Sequence, residues 1–178
     1  TSTVIKAHFP SLVKSVQHIV GVQFRNMATI GGSVFSRFGF SNILTAILPL
    51  DATVVLHQRG RVKIEEFINL PMDKDVLTHI IIKKNASHTY HGSLHKSSSD
   101  IPIIAVGAAC VGNQLRIAVG ARPRRPMLWT FSRTELDKEA VIEHITQGAV
   151  FGSNTRGSAA YRQAMTGVLI QRYFEEHY

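Results

Sequence analysis

Val22-Gln-Phe-Arg-Asn-Met-Ala-Thr-Ile-Gly-Gly-Ser33 is the stretch on which the reading of this chain turns. Its second half, Thr29-Ile30-Gly31-Gly32-Ser33, sets adjacent glycines between hydroxyl side chains. With no Cβ in the way, such a pair lets the backbone approach a bulky anion and point N–H groups at its oxygens. Thr29 and Ser33 add hydroxyl donors. This chemistry fits a diphosphate, although an ordinary tight turn uses the same residues. The chain has no Gly-x-Gly-x-x-Gly and no Gly-Lys-Ser/Thr, so the usual mononucleotide folds lose ground.

The flanking sequence reads as mixed α and β. Pro10–Val20 is a helix, with Pro10 in its first turn and Leu12, Val13, Val16, Ile19 and Val20 on one face. Val22–Arg25 is short and extended. Ser41 caps a helix running to about Leu48, where Pro49 stops it. Thr53–Leu56 and Arg61–Ile64 form a hairpin about Gln58-Arg59-Gly60, and Val76–Lys83 is a further strand. Asn85–Asp100 is polar and rich in Ser and His, and a subdomain boundary falls near its start. Ile101–Val111 and Gln114–Val119 pair across Gly112-Asn113. Ala121–Pro126 is an extended loop. Thr134 to about Ala149 is an amphipathic helix that Thr134 caps. Ser158–Tyr178 is a second helix, with Tyr161, Met165, Val168, Leu169 and Tyr173 on one face. With no regular βαβ alternation, the class is α+β.

Composition removes several functions. The chain has 178 residues, of which 20 are Lys or Arg and 12 Asp or Glu, a net charge of +8. One cysteine, Cys110, excludes an internal disulfide and any cluster or zinc site built from the chain's own thiolates. It lies in an apolar run and reads as an inert buried thiol. The apolar stretches Ile43–Leu56 and Ile101–Val111 fall short of the ~20 residues of a membrane helix. The first residues have no apolar signal region, so a cytoplasmic location is expected. His88, His91 and His95 have a spacing that could gather around a metal, but solvated loop histidines account for them better, and no metal ligand is assigned. Arg122, Arg124 and Arg125 could hold phosphate or an acidic partner; an exposed, solvated loop is the favoured alternative. No nucleophile elbow or paired-carboxylate motif is present, so no catalytic residue is assigned. The basic residues lack interleaved aromatics, which counts against nucleic acid.

The opening stretch, with its Arg-Asn-x-Ala-Thr-Ile-Gly-Gly-Ser, resembles the second flavin-binding motif of the FAD-binding medium subunit of the molybdopterin dehydrogenase family, the type found in xanthine dehydrogenase and carbon monoxide dehydrogenase. Phe24 stands where the family usually has Ile. The likeness continues in order. Ser41-Asn42-Ile43-Leu44 leads into Leu50-Asp51-Ala52, and Val76–Ile80 resembles the family's Ile-Leu-x-x-Ile strand. Lys96–Ala105 resembles the start of its C-terminal domain; Gly120–Pro123 and Ser158–Arg162 resemble two later signatures.

The resemblance implies the second subdomain of a two-part FAD-binding domain over residues 1–85, then a small α+β C-terminal domain, an antiparallel sheet with helices, over 86–178. It implies that Thr29, Ile30, Gly31, Gly32 and Ser33 contact the diphosphate and ribityl region of FAD. Ile19 packs on the cofactor, Ser36 reaches it, Leu77 lies against the flavin, and Lys96 approaches it. Asn42 stands where the family commonly has Asp, accepting from cofactor hydroxyls. The implied function is electron relay between [2Fe-2S] clusters on a small subunit and FAD, with NAD as a further partner and a molybdopterin-binding large subunit hydroxylating the substrate. The first FAD subdomain, with its own Gly-Gly loop, would precede Thr1, so the chain is expected to be a piece of such a subunit, inactive alone. The alternative is a scaffold or interaction subunit of the same fold that binds no FAD.

Overall fold

Short helices lead into two antiparallel sheets in the computed structural model, which describes residues 2–17, 19 and 21–178. The helices are α1 (Thr3–His8), α2 (Pro10–Val16), α3 (Val22–Met27), α4 (Ile30–Phe35) and α5 (Asn42–Ile47). Pro10 opens α2, which ends at Val16 rather than at Val20; Val20 lies outside the described residues. Val22–Arg25 is helical, not extended. Gly21 turns the chain at φ 65°, and Arg25 Nη1 donates to the Ile19 carbonyl at 2.9 Å, tying α3 back to the preceding bend. Without a neighbouring strand to pair with, the strand preference of Val22 and Phe24 yields to local i→i−4 bonds. The glycine pair sits in the first turn of α4, where Thr29 Oγ1 accepts from the Gly32 N–H at 3.0 Å. Ser41 caps α5 as expected, accepting from Leu44 N at 3.1 Å.

The first sheet has the order β2-β1-β3, from β1 (Ala52–Leu56), β2 (Gly60–Lys63) and β3 (Leu77–Ile82). Ile64, expected in the hairpin, instead begins α6 (Ile64–Phe67). Asp51 clips the sheet together, meeting Lys63 Nζ at 2.6 Å and Lys83 Nζ at 2.9 Å.

The second sheet has the order β4-β5-β6-β7: β4 (Ala86–Leu94), β5 (Ile104–Val111), β6 (Gln114–Gly120) and β7 (Met127–Ser132). The polar Asn85–Asp100 stretch therefore contains a strand, made so by its register against β5. Helices α7 (Lys138–Gly148) and α8 (Ala159–His177) complete the chain. Asp137 rather than Thr134 caps α7, accepting from Ala140 N at 3.1 Å, because the Thr134 hydroxyl bonds Ser132 at 2.8 Å.

Strand β5 is buried on both faces, and alternation sorts its residues. Ile104, Val106 and Cys110 join Leu115, Ile117 and Val119 of β6 under α8. The small residues Gly107, Ala109, Ala118 and Gly120 face α5. A Cβ on Gly107 would overlap the Thr45 carbonyl, and one on Gly120 the Thr45 hydroxyl. This close approach seats α5 on the second sheet and sets what lies beside its N-terminus. On α8 the buried face is Arg162, Thr166, Leu169, Ile170, Tyr173 and Phe174, while Tyr161 and Val168 are exposed. The face is rotated from expectation because Arg162 is drawn inward by hydrogen bonds to four acceptors, the Ile103, Gly152 and Gly157 carbonyls and Asn154 Oδ1. Cys110 is buried, with Sγ 3.4 Å from the Tyr173 hydroxyl.

Among the described residues, no helix is long and apolar enough to cross a membrane, and no group of three or more His, Cys, Asp or Glu is placed to hold a metal. His88 and His91 lie on β4, and His95 follows it with Nδ1 2.7 Å from the Asp100 carbonyl.

Candidate functional site

The α4–α5 junction is built by serines. Ser41 Oγ donates to the Ser33 carbonyl at 3.1 Å while accepting the α5 cap bond, so one side chain fixes both helices. Beside this junction, bounded across the gap by Ser99–Pro102, lies a cavity of about 500 Å³. A smaller one of about 210 Å³ shares Ile19, Phe24, Ser33 and Ile43 with it and runs toward Thr29 and Ile30.

These cavities gather most of the residues singled out in the sequence. Ile19 and Ser33 line both, Ser36 and Asn42 the larger, Thr29 and Ile30 the smaller. Gly31 and Leu77 lie together: a Cβ on Gly31 would stand 3.8 Å from Leu77 Cδ2, so β3 supports the first turn of α4. Gly32 spends its N–H on Thr29. Lys96 lines neither cavity, and its ammonium donates to the Thr155 carbonyl at 2.8 Å.

The larger cavity accepts hydrogen bonds more than it donates them. Ser33 Oγ gives its proton to the Thr29 carbonyl at 3.2 Å and Ser36 Oγ to the Ser33 carbonyl at 3.5 Å. Their remaining capacity is lone pairs. Asn42 is 8% exposed, and its Oδ1 has no hydrogen-bond partner. A half-turn of the amide exchanges Oδ1 and Nδ2, so this side chain can offer a ligand either an acceptor or a donor. Asp100 adds a carboxylate. Arg156, at 3.2 Å through Nη2, and the Ile101 N–H hold it below the usual carboxylate range, so it stays ionised. The rest of the wall is apolar. Sequence reasoning missed Phe24, Phe38, Phe40 and the Asp100–Pro102 segment. Phe38 and Phe40 stack with ring centroids 5.1 Å apart, and both are exposed. Two aromatics astride Gly39 just after the glycine motif were the available signal.

An apolar slot edged with acceptors suits a flat ring system carrying a polyhydroxyl chain. Residues 1–84 match the family described as the FAD binding domain in molybdopterin dehydrogenase. Uncharacterized protein YgfM of Escherichia coli (strain K12) is 28% identical over 148 residues, covering 82% of this chain and 57% of that protein. The glyceraldehyde dehydrogenase medium chain of Sulfolobus acidocaldarius is 23% identical, over 99% of this chain and 70% of its own length. In structure, quinoline 2-oxidoreductase from Pseudomonas putida 86 superimposes with a TM-score of 0.81 at 21% identity, covering 99% of this chain and 69% of the other. Residues 1–84 are thus similar to the FAD binding domain in molybdopterin dehydrogenase, and the chain as a whole shares the fold of a chain in the quinoline 2-oxidoreductase structure. It spans 57% of the length of the first of these relatives, YgfM.

The residues present fit FAD. The unpartnered Asn42 Oδ1, at the wall of an apolar cavity of about 500 Å³, meets the need of a hydroxylated chain for a buried hydrogen-bonding group.

Proposed function

We propose that this chain is the FAD-binding, electron-transferring part of a medium subunit in a molybdenum hydroxylase of the xanthine dehydrogenase or carbon monoxide dehydrogenase kind. The observation that carries this reading is the buried Asn42 Oδ1 without a partner, beside the matched motif and on the cavity wall. Asn42, Ser33 and Ser36 would hold the ribityl hydroxyls. Ile19 would pack on the flavin together with Phe24, Ile101 and Pro102. Thr29, Ile30, Gly31 and Gly32 would meet the diphosphate, chiefly through the Ile30 and Gly31 N–H groups, which have no acceptor within a helix's first turn. Leu77 would support that turn from below. Lys96 would act at one remove: anchored on Thr155, it steadies the segment that ends in Asp100.

FAD, when bound, supplies the electron transfer. The protein's part is to bind, orient and exclude water; no side chain is required as an acid or base. The partners of this reading are a molybdopterin-binding large subunit, a [2Fe-2S] small subunit, a first FAD subdomain and NAD as acceptor, in a cytoplasmic complex. The medium-chain designation of the glyceraldehyde dehydrogenase relative supports a multi-chain assembly. We further propose two subdomains, residues 1–85 and 86–178, supported by the change from one sheet to the other between Ile82 and Ala86.

The test is the visible spectrum and flavin content of the intact protein, wild type against Gly32→Val. A Cβ at Gly32 would stand 3.1 Å from Thr29 Oγ1, so a branched residue should disturb the first turn of α4 and lower flavin content several-fold while the fold survives. A flavin spectrum unaltered by the substitution removes the diphosphate assignment. A colourless intact protein that does not take up FAD favours the scaffold reading.

A further inference from the structure

Beyond Phe38 and Phe40 lies another cavity, of about 550 Å³, which shares Ser36, Ile101 and Pro102 with the one described above. Its chemistry is opposite. Arg37, Arg124, Arg125, Arg156 and Arg162 line it, and no Asp or Glu does. Arg122 stands at the same loop, adjacent to the lining residue Ala121. Among the described residues, the Arg156–Asp100 contact is the one ion pair made by any of these six guanidinium groups.

Several of these charges are deeply placed and meet only neutral groups. Arg162 is 1% exposed and bonds three carbonyls and an amide oxygen. Arg122 is 6% exposed and donates to the Arg125 and Val150 carbonyls, which overturns its reading as a solvated loop residue. Arg37 is 3% exposed. It donates to the Leu70 and Pro71 carbonyls and lies 4.0 Å over the Phe67 ring, with Nε and Nη2 unpartnered. Neutral acceptors satisfy hydrogen bonds without cancelling charge.

Burial lowers the pKa of all three, and the next cause in each case is another arginine: Arg125 for Arg37, Arg124 for Arg122, Arg156 for Arg162. Asp73 works in the opposite sense at Arg37. Arg37 and Ala121 are also held at positive φ, 51° and 58°, a conformation that non-glycine residues keep only where their surroundings impose it. At the rim, Arg124 is exposed with no hydrogen bond or ion pair among the described residues, and Arg125 commits only Nη1, to the Ile68 and Leu70 carbonyls. Like charges crowded along a concave wall focus a positive potential, and guanidinium forks match phosphate oxygens.

We infer that this arginine-lined cavity binds a phosphate group, as the phosphoester or phosphoanhydride of a nucleotide. A phosphate of that chemistry has two sources: the diphosphate of FAD seated in the adjoining cavity, which would then lie here rather than on the first turn of α4, or a separate nucleotide. The first source rests on the FAD reading above; the phosphate site does not. The fused geometry favours a small anion over an acidic protein surface, because the buried guanidinium groups can be reached only by a group that enters.

The experiment is calorimetric titration of the intact protein, stripped of flavin, with inorganic pyrophosphate, comparing wild type, Arg124→Glu and Arg124→Lys. One saturable site per chain is expected, weakening steeply with added salt. Arg124→Glu should bind at least tenfold more weakly, with its melting temperature unchanged because Arg124 is exposed and unbonded, and Arg124→Lys should stay close to wild type. Repeating the titration with FAD-loaded protein separates the sources. If FAD abolishes pyrophosphate binding and Arg124→Glu lowers FAD affinity, the phosphate is the flavin's own. If loaded protein still binds pyrophosphate and FAD affinity is unaltered, it belongs to a second nucleotide. The inference is overturned by the absence of saturable pyrophosphate binding, or by Arg124→Glu binding as wild type does. Both results are read without flavin, so they stand apart from a failure of the FAD assignment.

Discussion

Asn42→Leu should move stability and cofactor affinity in opposite directions. The Asn42 Oδ1 is buried with no partner, and such a group costs about 1–3 kcal/mol in desolvation. Leucine is close in volume, keeps the first position of α5 and removes the unpaired oxygen. Other residues of α5 are buried and apolar, so the new side chain has a surface to join. The flavin-free protein should therefore gain up to about 1 kcal/mol, a rise in Tm of roughly 2–4 °C for a chain of this size. The same change deletes a hydrogen bond to the cofactor, worth about 0.5–1.5 kcal/mol, so FAD should bind roughly two- to tenfold more weakly. Thermal melts of flavin-free protein and titrations with FAD followed by flavin fluorescence read the two quantities separately. An Asn42 that serves only the fold would show the reverse: a lower Tm and unchanged FAD affinity. That pair of results would refute the reasoning.

Gly107→Ala should destabilise the protein by about 1–3 kcal/mol, seen as a Tm lowered by roughly 3–10 °C, because the added Cβ meets the Thr45 backbone carbonyl, which cannot rotate away as a side chain would. A neutral substitution would show that α5 is not seated closely on the second sheet. Asp51 should make stability acid-sensitive. Hydrogen bonds from Lys63, then from Lys83, hold its carboxyl at about 2, below the ordinary 3.8. A depressed carboxylate contributes stability above its unfolded pKa and loses it as pH falls through the folded value. Its contribution, about 1–2 kcal/mol after screening at the exposed ammonium groups, should thus fade between about pH 4 and pH 2. Denaturant unfolding across that range checks it, since Asp51→Asn should flatten this part of the profile.

The order of motifs from Val22–Ser33 through Ser158–Arg162 was enough to bring out the resemblance that the match over residues 1–84 bears out, because a glycine pair with a defined flank reflects local backbone demands that sequence states directly. The same holds for the Ser41 cap, the β5–β6 pair about Gly112-Asn113, and the extent of α8. These depend on residues near one another in the chain. Where tertiary partners outweighed local preference, sequence misled. Val22–Met27 has strand-forming residues but no strand to pair with, and Asn85–Asp100 is polar yet pairs along β5 as β4. The buried face of α8 turned toward Arg162 because acceptors from two separate segments, Ile103 and the 152–157 loop, converge on that guanidinium. The division of the site into an acceptor-lined cavity and an arginine-lined one was decided by packing alone. Arg37 and Arg124–Arg125 come from segments far apart in the sequence, and they meet because Gly39, Gly107 and Gly120 lack the Cβ atoms that would hold α5 and its preceding loop away from the second sheet and the loop that follows β6. Sequence names those glycines and arginines, but only a backbone approach within van der Waals range makes them one wall.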